Sequence, residues 1–373
     1  MIRVCYVIPS LSVGGAERQL TELLRGLAGD HELVVVCTRH DGALAGDARR
    51  AGAEIHVLGT GTAWDPTLFR KLRTVFRRRR PDVVHKFMSG FDLAANLAAR
   101  AARVPVVVSS RRELATWMKR RHRLIQGWAN RYVDCIVANS GAVAQYVKTH
   151  ERVDPSLVRV IPNGIRADEF VSKVDRHHLH QRYRIPFHRH IVGIVANFSP
   201  VKDHALFVQT AEVLMKRRAD VHFLMVGGGP LLQRIEHTIA ARGMESCFTR
   251  VTAIAEMRDL YALMDVSVLC SKAEGFPNAV MESMAAGRPV VAAAVGGITE
   301  LVRDGITGRL VSSRRPEEFA AVIEWVLDHR DESAAMAACA AEFVRTELTV
   351  ERMVDGYRHL YAELLANAGK KGG

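Results

Sequence analysis

Apolar positions in this chain follow two alternating rhythms. Short, nearly continuous Val/Ile-rich runs are bounded by turn residues. Between them lie longer stretches in which apolar residues recur every three or four positions. In the first half the runs at 3–8, 33–37, 55–58, 83–85, 106–109 and 135–139 predict strands, and 16–27, 66–80, 92–102 and 141–150 predict helices. The second half repeats the scheme, with strands at 191–196, 223–226, 266–269 and 290–293 and helices such as 202–217 and 257–264. Continuous apolar strands are buried on both faces, which is the habit of parallel sheets. Two such βα series predict an α/β chain of two Rossmann-like domains, 1–165 and 166–350. The break falls at the turn-rich Ile161-Pro162-Asn163-Gly164-Ile165. The remaining 351–373 carries a helical stripe (Met353, Tyr357, Leu360, Tyr361, Leu364) and is expected to lose order after 368.

One segment breaks the rhythm. Residues 171–190 are polar and hold His177, His178, His180, His188 and His190. Without carboxylates or cysteines at metal-ligand spacing, they are read as a solvated linker with a short helix.

Composition narrows the class. The 373 residues are 48% hydrophobic and 25% charged, as in a globular enzyme. No apolar run approaches the roughly 20 residues that span a bilayer. The opening MIRVCYVIPS is followed at once by a Gly-Gly turn and is read as a buried strand rather than a signal peptide. Six cysteines without CxxC spacing predict reduced thiols, a cytoplasmic location and no metal site.

Charge adds a polarity along the chain. The formal net charge is +12, all of it in residues 1–180, which hold 29 Lys+Arg against 17 Asp+Glu. The excess peaks in 66–131, with 17 basic and three acidic residues and the run Arg77-Arg78-Arg79-Arg80. A solvated helix face explains part of this. An anionic membrane surface or a lipid-diphosphate acceptor explains the clustering better. Nucleic acid is not favoured, because no helix-turn-helix, RRM or zinc-finger pattern accompanies the charge.

The densest candidate chemistry lies at 274–282. Glu274 and Glu282 flank Gly275, Phe276, Pro277 and Asn278, residue types that open helices, with Asn as the expected cap. Glu274 then sits on the loop and Glu282 about one turn inside. The N–H groups of Asn278, Ala279 and Val280 at the helix start suit a phosphate, and carboxylates suit sugar hydroxyls. Upstream stand a strand and Cys270-Ser271. Downstream come Gly287-Arg288-Pro289, a strand, the Gly296-Gly297 turn and Glu300.

This run resembles the donor-binding signature of retaining glycosyltransferases of family 4, which have the GT-B fold. The family's Glu–seven residues–Glu pattern is met by Glu274 and Glu282, and its Gly-Gly-x-x-Glu by Gly296, Gly297 and Glu300. The resemblance implies two Rossmann-like domains facing across a cleft, with the tail helix crossing back to the first. It also implies sugar transfer, with retention, from a UDP- or GDP-sugar to an acceptor hydroxyl, in polysaccharide, lipopolysaccharide or glycolipid synthesis. The implied enzyme is a hexosyl- or related glycosyltransferase.

Residue by residue, the resemblance implies that Gly14 and Gly15 face donor phosphate and sugar. Their spacing is not the G-x-G-x-x-G of dinucleotide sites. Lys202 matches the lysine that neutralises the diphosphate, at a helix start where a cation is disfavoured by the dipole. The arginine usual five residues earlier is replaced by Asn197. Gly227 and Gly228 make the turn that admits the nucleotide. Residues 251–255 line the base, with Thr252 in place of a common glycine. The His usual after the 106–109 strand is absent; Ser110 and Arg111 stand there, and Arg111 is expected to contact acceptor or phosphate. His85 is a lesser candidate.

The expected catalytic set is therefore Glu274, Lys202 and Arg111. With no D-x-D motif, neither metal nor resident cofactor is expected. Expected partners are a nucleotide sugar, a glycolipid or lipid-diphosphate acceptor, and the inner face of the membrane. Two alternatives are a nucleotide-sugar-binding protein without catalysis and a GT-B nucleotide-sugar epimerase.

Overall fold

The computed structural model describes residues 1–60, 62, 65–88, 90–115, 118, 120–252 and 256–372. The chain divides into two compact units, Met1–Gly164 with Val350–Gly373, and Ile165–Thr349.

The first unit is built on a seven-stranded sheet: β1 (Ile2–Ile8), β2 (His31–Cys37), β3 (Glu54–Val57), β4 (Val83–Lys86), β5 (Val106–Arg111), β6 (Cys135–Ala138) and β7 (Val158–Val160). The order is β3-β2-β1-β4-β5-β6-β7, and every pairing is parallel. Side chains of β1 alternate between two cores. Val4, Tyr6 and Ile8 enter one, while Cys5 and Val7 enter the other. That two-sided burial is why the strand reads as an unbroken apolar run.

The second unit carries a six-stranded parallel sheet: β8 (His190–Val195), β9 (Val221–Val226), β10 (Phe248–Val251), β11 (Val266–Leu269), β12 (Val290–Ala293) and β13 (Arg309–Val311). Its order is β10-β9-β8-β11-β12-β13. In both sheets the winding reverses beside the first strand, at β1/β4 and at β8/β11. In open α/β sheets ligands bind outside the carboxyl ends of the strands at such a reversal.

Three expectations need correction. Residues 171–190 are not a solvated linker: helix Arg176–Tyr183 is capped by Asp175 and buries Leu179 in a core shared with Leu260 and Leu263. The sequence expectation passed over β7 and β10, sheet-edge strands whose partly exposed residues break the apolar run. Order does not end after 368, because the last helix runs Val350–Gly372.

That helix belongs to the first unit. It drives Val350, Met353, Val354, Tyr357, Leu360 and Tyr361 into the core. It crosses helix Gly15–Leu27 at Gly26, where a Cβ would come within 2.3 Å of Val354 Cγ2. Among the described residues no helix is long and apolar enough to cross a membrane.

Candidate functional site

The second unit places Lys202 and Glu274 on the two loops that leave β8 and β11, the strands flanking its reversal. Lys202 Nζ lies 2.5 Å from Glu274 Oε1, and Ser271 Oγ donates to the same oxygen. Glu274 is nearly buried, at 8% exposure, while Lys202 keeps 26%. A cation facing outward over a buried carboxylate is a receptor for an anion. On anion binding the ammonium can turn to the ligand and free the carboxylate to accept hydrogen bonds.

The two loops are tied together beneath this pair. Arg314, beyond β13, donates to the carbonyls of Cys270 (3.0 Å) and Ser271 (3.1 Å) and pairs with Asp203. Lys272 N–H donates to Val201 O at 2.7 Å. Asp203 itself holds the left-handed φ of 49° that turns the chain into helix His204–Met215. No sequence pattern singled out Arg314; it is brought to the loop that lacks an arginine at Asn197 by the sheet order alone.

The Gly-rich turn after β9 is held for a packing reason. A Cβ on Gly227 would stand 2.2 Å from Ala196 O, and one on Gly229 would stand 2.8 Å from the Phe198 backbone. Both glycines have positive φ (137° and 146°), so no other residue lets this turn lie against the β8 loop. Gly228 faces open space.

Helix Asn278–Ala285 starts one residue earlier than the capping argument required. Pro277 is the N-cap and Asn278 the first helical residue, without a side-chain cap. Phe276 and Val280 point into the apolar core. What residues 275–280 can offer a ligand is therefore chiefly backbone. Glu282 is buried one turn in, and Tyr261 donates to its Oε2 at 2.8 Å. Tyr261 was not anticipated. It sits on the apolar stripe of helix Met257–Leu263, and only the fold brings its hydroxyl to Glu282. The Gly296-Gly297 turn joins in, since Gly297 N–H donates to Glu274 O at 3.1 Å. Thr252 is exposed just after β10; of the expected base-lining segment, 253–255 lie outside the described residues.

In the first unit Gly14 caps helix Gly15–Leu27 in an extended conformation. A Cβ there would stand 2.3 Å from Glu17 Oε2, the movable end of a side chain that folds back on the turn. Burial raises the Glu17 pKa, and Arg112 partly offsets this.

Arg111 does not fulfil its expected role. It is 1% exposed. Its guanidinium donates to both oxygens of Glu151 (3.1 and 2.9 Å) and to Asn130 Oδ1 (3.0 Å), and it pairs with Asp92 at 3.0 Å. Lys86 joins the cluster through Asp92, and burial lowers its pKa to about 8. His85 is equally internal, with Nδ1 2.7 Å from Tyr361 Oη and Nε2 2.8 Å from Ser110 Oγ. Burial holds its pKa well below the ordinary value, so it is a neutral core histidine. Among the described residues no cluster of His, Cys, Asp and Glu could hold a metal ion.

Comparison with known proteins places this geometry. Residues 13–169 match the family described as Glycosyltransferase Family 4, and 189–329 match Glycosyl transferases group 1. The chain belongs to glycosyltransferase family 4. Among curated family members, the D-inositol 3-phosphate glycosyltransferase of Geodermatophilus obscurus is 30% identical over 244 residues, 62% of this chain and 54% of the relative. The enzyme of that name from Mycobacterium tuberculosis is 29% identical over 254 residues, 64% of this chain and 52% of the relative. The chain thus aligns with little more than half the length of these relatives.

The GT-B fold of the family is matched over nearly the whole chain. The crystal structure of Anabaena HepE in complex with UDP and glucose superposes with a TM-score of 0.87 at 21% identity, covering 97% of this chain and 100% of that one. WaaG, a glycosyltransferase involved in lipopolysaccharide biosynthesis, gives 0.78 at 15% identity, covering 96% and 99%.

Proposed function

We propose that this chain transfers a sugar from a nucleoside-diphosphate sugar to an acceptor hydroxyl, with retention of anomeric configuration. The observation that carries this is the Lys202–Glu274–Ser271 cluster at the sheet reversal of a family 4 chain. Lys202 and the backbone at the start of helix Asn278–Ala285 take the diphosphate. Glu274, released from Lys202, accepts hydroxyls of the sugar. Glu282, steadied by Tyr261, accepts the ribose hydroxyls. As the anomeric C–O bond breaks, negative charge grows on the leaving phosphate, where preorganised donors are worth most. The acceptor oxygen bonds the anomeric carbon from the same face and passes its proton to the departing phosphate oxygen. No metal takes part in this scheme. UDP is the favoured base carrier, because HepE structures hold UDP, UDP with glucose, and UDP-glucose.

The acceptor is proposed to be lipid-borne, reached at the inner face of the cell membrane. Exposed Leu124, Trp128 and Tyr132 make one stripe along and just beyond helix Arg120–Ala129, beside exposed Arg120, Arg121 and Arg131. An apolar stripe edged with arginine suits an anionic bilayer surface. The relatives' name favours a second acceptor class, a phosphorylated polyol such as inositol 3-phosphate.

Incubation with UDP- and GDP-sugars, with and without EDTA, tests the reading. Thermal stabilisation by one donor and slow EDTA-resistant release of its nucleotide are expected, with product anomer matching donor. Donor binding without turnover in the presence of either acceptor class would leave a binding protein instead. Trp128→Ser with Leu124→Ser should release the chain from phosphatidylglycerol vesicles; unchanged binding removes the membrane assignment.

A further inference from the structure

The edge of the second unit's sheet opposite Lys202 holds a cavity of about 710 Å³, at the amino ends of β8, β11 and β12. Four arginines line it, Arg176, Arg189, Arg288 and Arg330, against one carboxylate, Asp265. Helix Arg330–Glu347 forms one wall, and its Ser333, Ala334, Ala337 and Ala338 are small enough to leave the volume open.

The charges are not internally balanced. Among the described residues only Arg176 reaches a carboxylate, Asp265 Oδ1 at 2.8 Å. Arg288 is held by carbonyls, with Nε donating to Ala286 O at 2.9 Å. Arg189 donates to Val221 O at 3.3 Å. Arg330 Nη2 lies 3.4 Å from His190 Nε2. Nearby Asp220 is engaged twice by Arg218. Burial and the neighbouring Arg176 push the Arg288 pKa down, which marks a pocket short of negative charge. Guanidinium forks match phosphate oxygens in geometry, and a partly buried cation cluster is stabilised by such an anion.

The cavity also has the size of a small-molecule site, on the order of 300–1,000 Å³. Phe187 stands at its rim, 51% exposed, with the rings of His177, His180 and His188 edge-on around it. An exposed ring beside a phosphate pocket offers apolar contact to an organic body. We propose that this cavity is a second binding site, for a phosphorylated small metabolite whose phosphate sits among Arg176, Arg288 and Arg330 and whose organic part lies on Phe187. It is separate from the Lys202 edge. The strand between them is six residues, about 20 Å.

Isothermal titration of the full chain with glucose 6-phosphate, AMP and inorganic phosphate tests this. At least one organic phosphate should bind saturably and more tightly than inorganic phosphate. Arg330→Ser, at an exposed position, should weaken it about tenfold or more, and Lys202→Ala should leave it unchanged. Preference for glucose 6-phosphate marks a sugar phosphate, and preference for AMP a nucleotide. The proposal falls if no probe saturates, or if Arg330→Ser and Arg176→Ser bind as the parent does. It also falls if Lys202→Ala abolishes the binding, or if inorganic phosphate binds as well as either organic probe.

Discussion

The two units wind their sheets alike and treat charge at the reversal in opposite ways. In the second, Lys202 and Glu274 pair at the rim of the sheet, one partly exposed and the other nearly buried. In the first, Lys86, Asp92, Arg111 and Glu151 close on one another with at most 3% side-chain exposure. The same architecture thus yields one ion pair that a ligand can open and one network that is a structural joint. Residue type and position at a strand end do not separate the two; exposure and the count of satisfied donors do.

The largest effect that can break this comparison is expected at the joint. Arg111→Leu leaves the carboxylates of Glu151 and Asp92 buried without their shared cation. Removing one partner from a buried ion group costs about 3–5 kcal/mol. Urea denaturation should show that loss in the first unit, and donor binding per folded molecule should survive. A variant that folds as stably as the parent but no longer turns over would return Arg111 to the active site.

Next in size are Lys202→Ala and Glu274→Ala. For Lys202→Ala, loss of one preorganised donor to a developing oxyanion lowers rate on the order of 10²–10³-fold; Glu274→Ala removes an acceptor for the sugar hydroxyls and should lower rate in the same direction. Stability should change little for Lys202→Ala, whose partner then keeps Ser271. Near-parental transfer by both variants would remove the pair from the mechanism, however well placed it is.

A smaller change is expected from Tyr261→Phe, which deletes the hydroxyl that donates to Glu282. Hydrogen bonds to charged groups contribute about 1.5–3 kcal/mol, so nucleotide affinity should fall about tenfold or more. The fall should appear in KM and leave kcat nearly intact, because Glu282 is assigned to the ribose, away from the breaking bond. A loss confined to kcat contradicts that role.

What the sequence revealed follows the same division. The buried strands were legible because burial on both faces demands continuous Val and Ile, as in β1 and β8. The pair at Lys202 and Glu274 was legible because its residues stand in short local patterns at strand ends. Tyr261, Arg314 and the Arg111 network were not. Each joins residues from 19 to 111 positions apart, and their local context reads as ordinary helix or loop. Arg111 was misplaced for a related reason: a strand-end arginine looks available until the carboxylates packed on it are known. The reading of Gly227 was incomplete in the same way, since its collision partner, Ala196 O, lies on another loop.

The finest test concerns the histidine that opens the helix just after Lys202. His204 stacks on Phe198 with ring centroids 3.9 Å apart, and neither ring nitrogen has a hydrogen-bond partner among the described residues. Burial, with Lys202 nearby, lowers its pKa to about 4. A folded-state pKa below the unfolded value of about 6.5 means the unfolded chain binds the proton first. Stability from this group is therefore full above about pH 6.5 and is lost as pH falls towards 4. His204→Phe keeps the stack and removes both the unpaired nitrogens and the proton. It should match or exceed the parent at pH 7, by about 1 kcal/mol at most. Its melting temperature should fall less steeply between pH 6.5 and 4, and Lys202-dependent transfer should persist. Parallel pH profiles for variant and parent would mean that acid sensitivity in the second unit comes from elsewhere, with His222, also lowered to about 4, the next residue to replace.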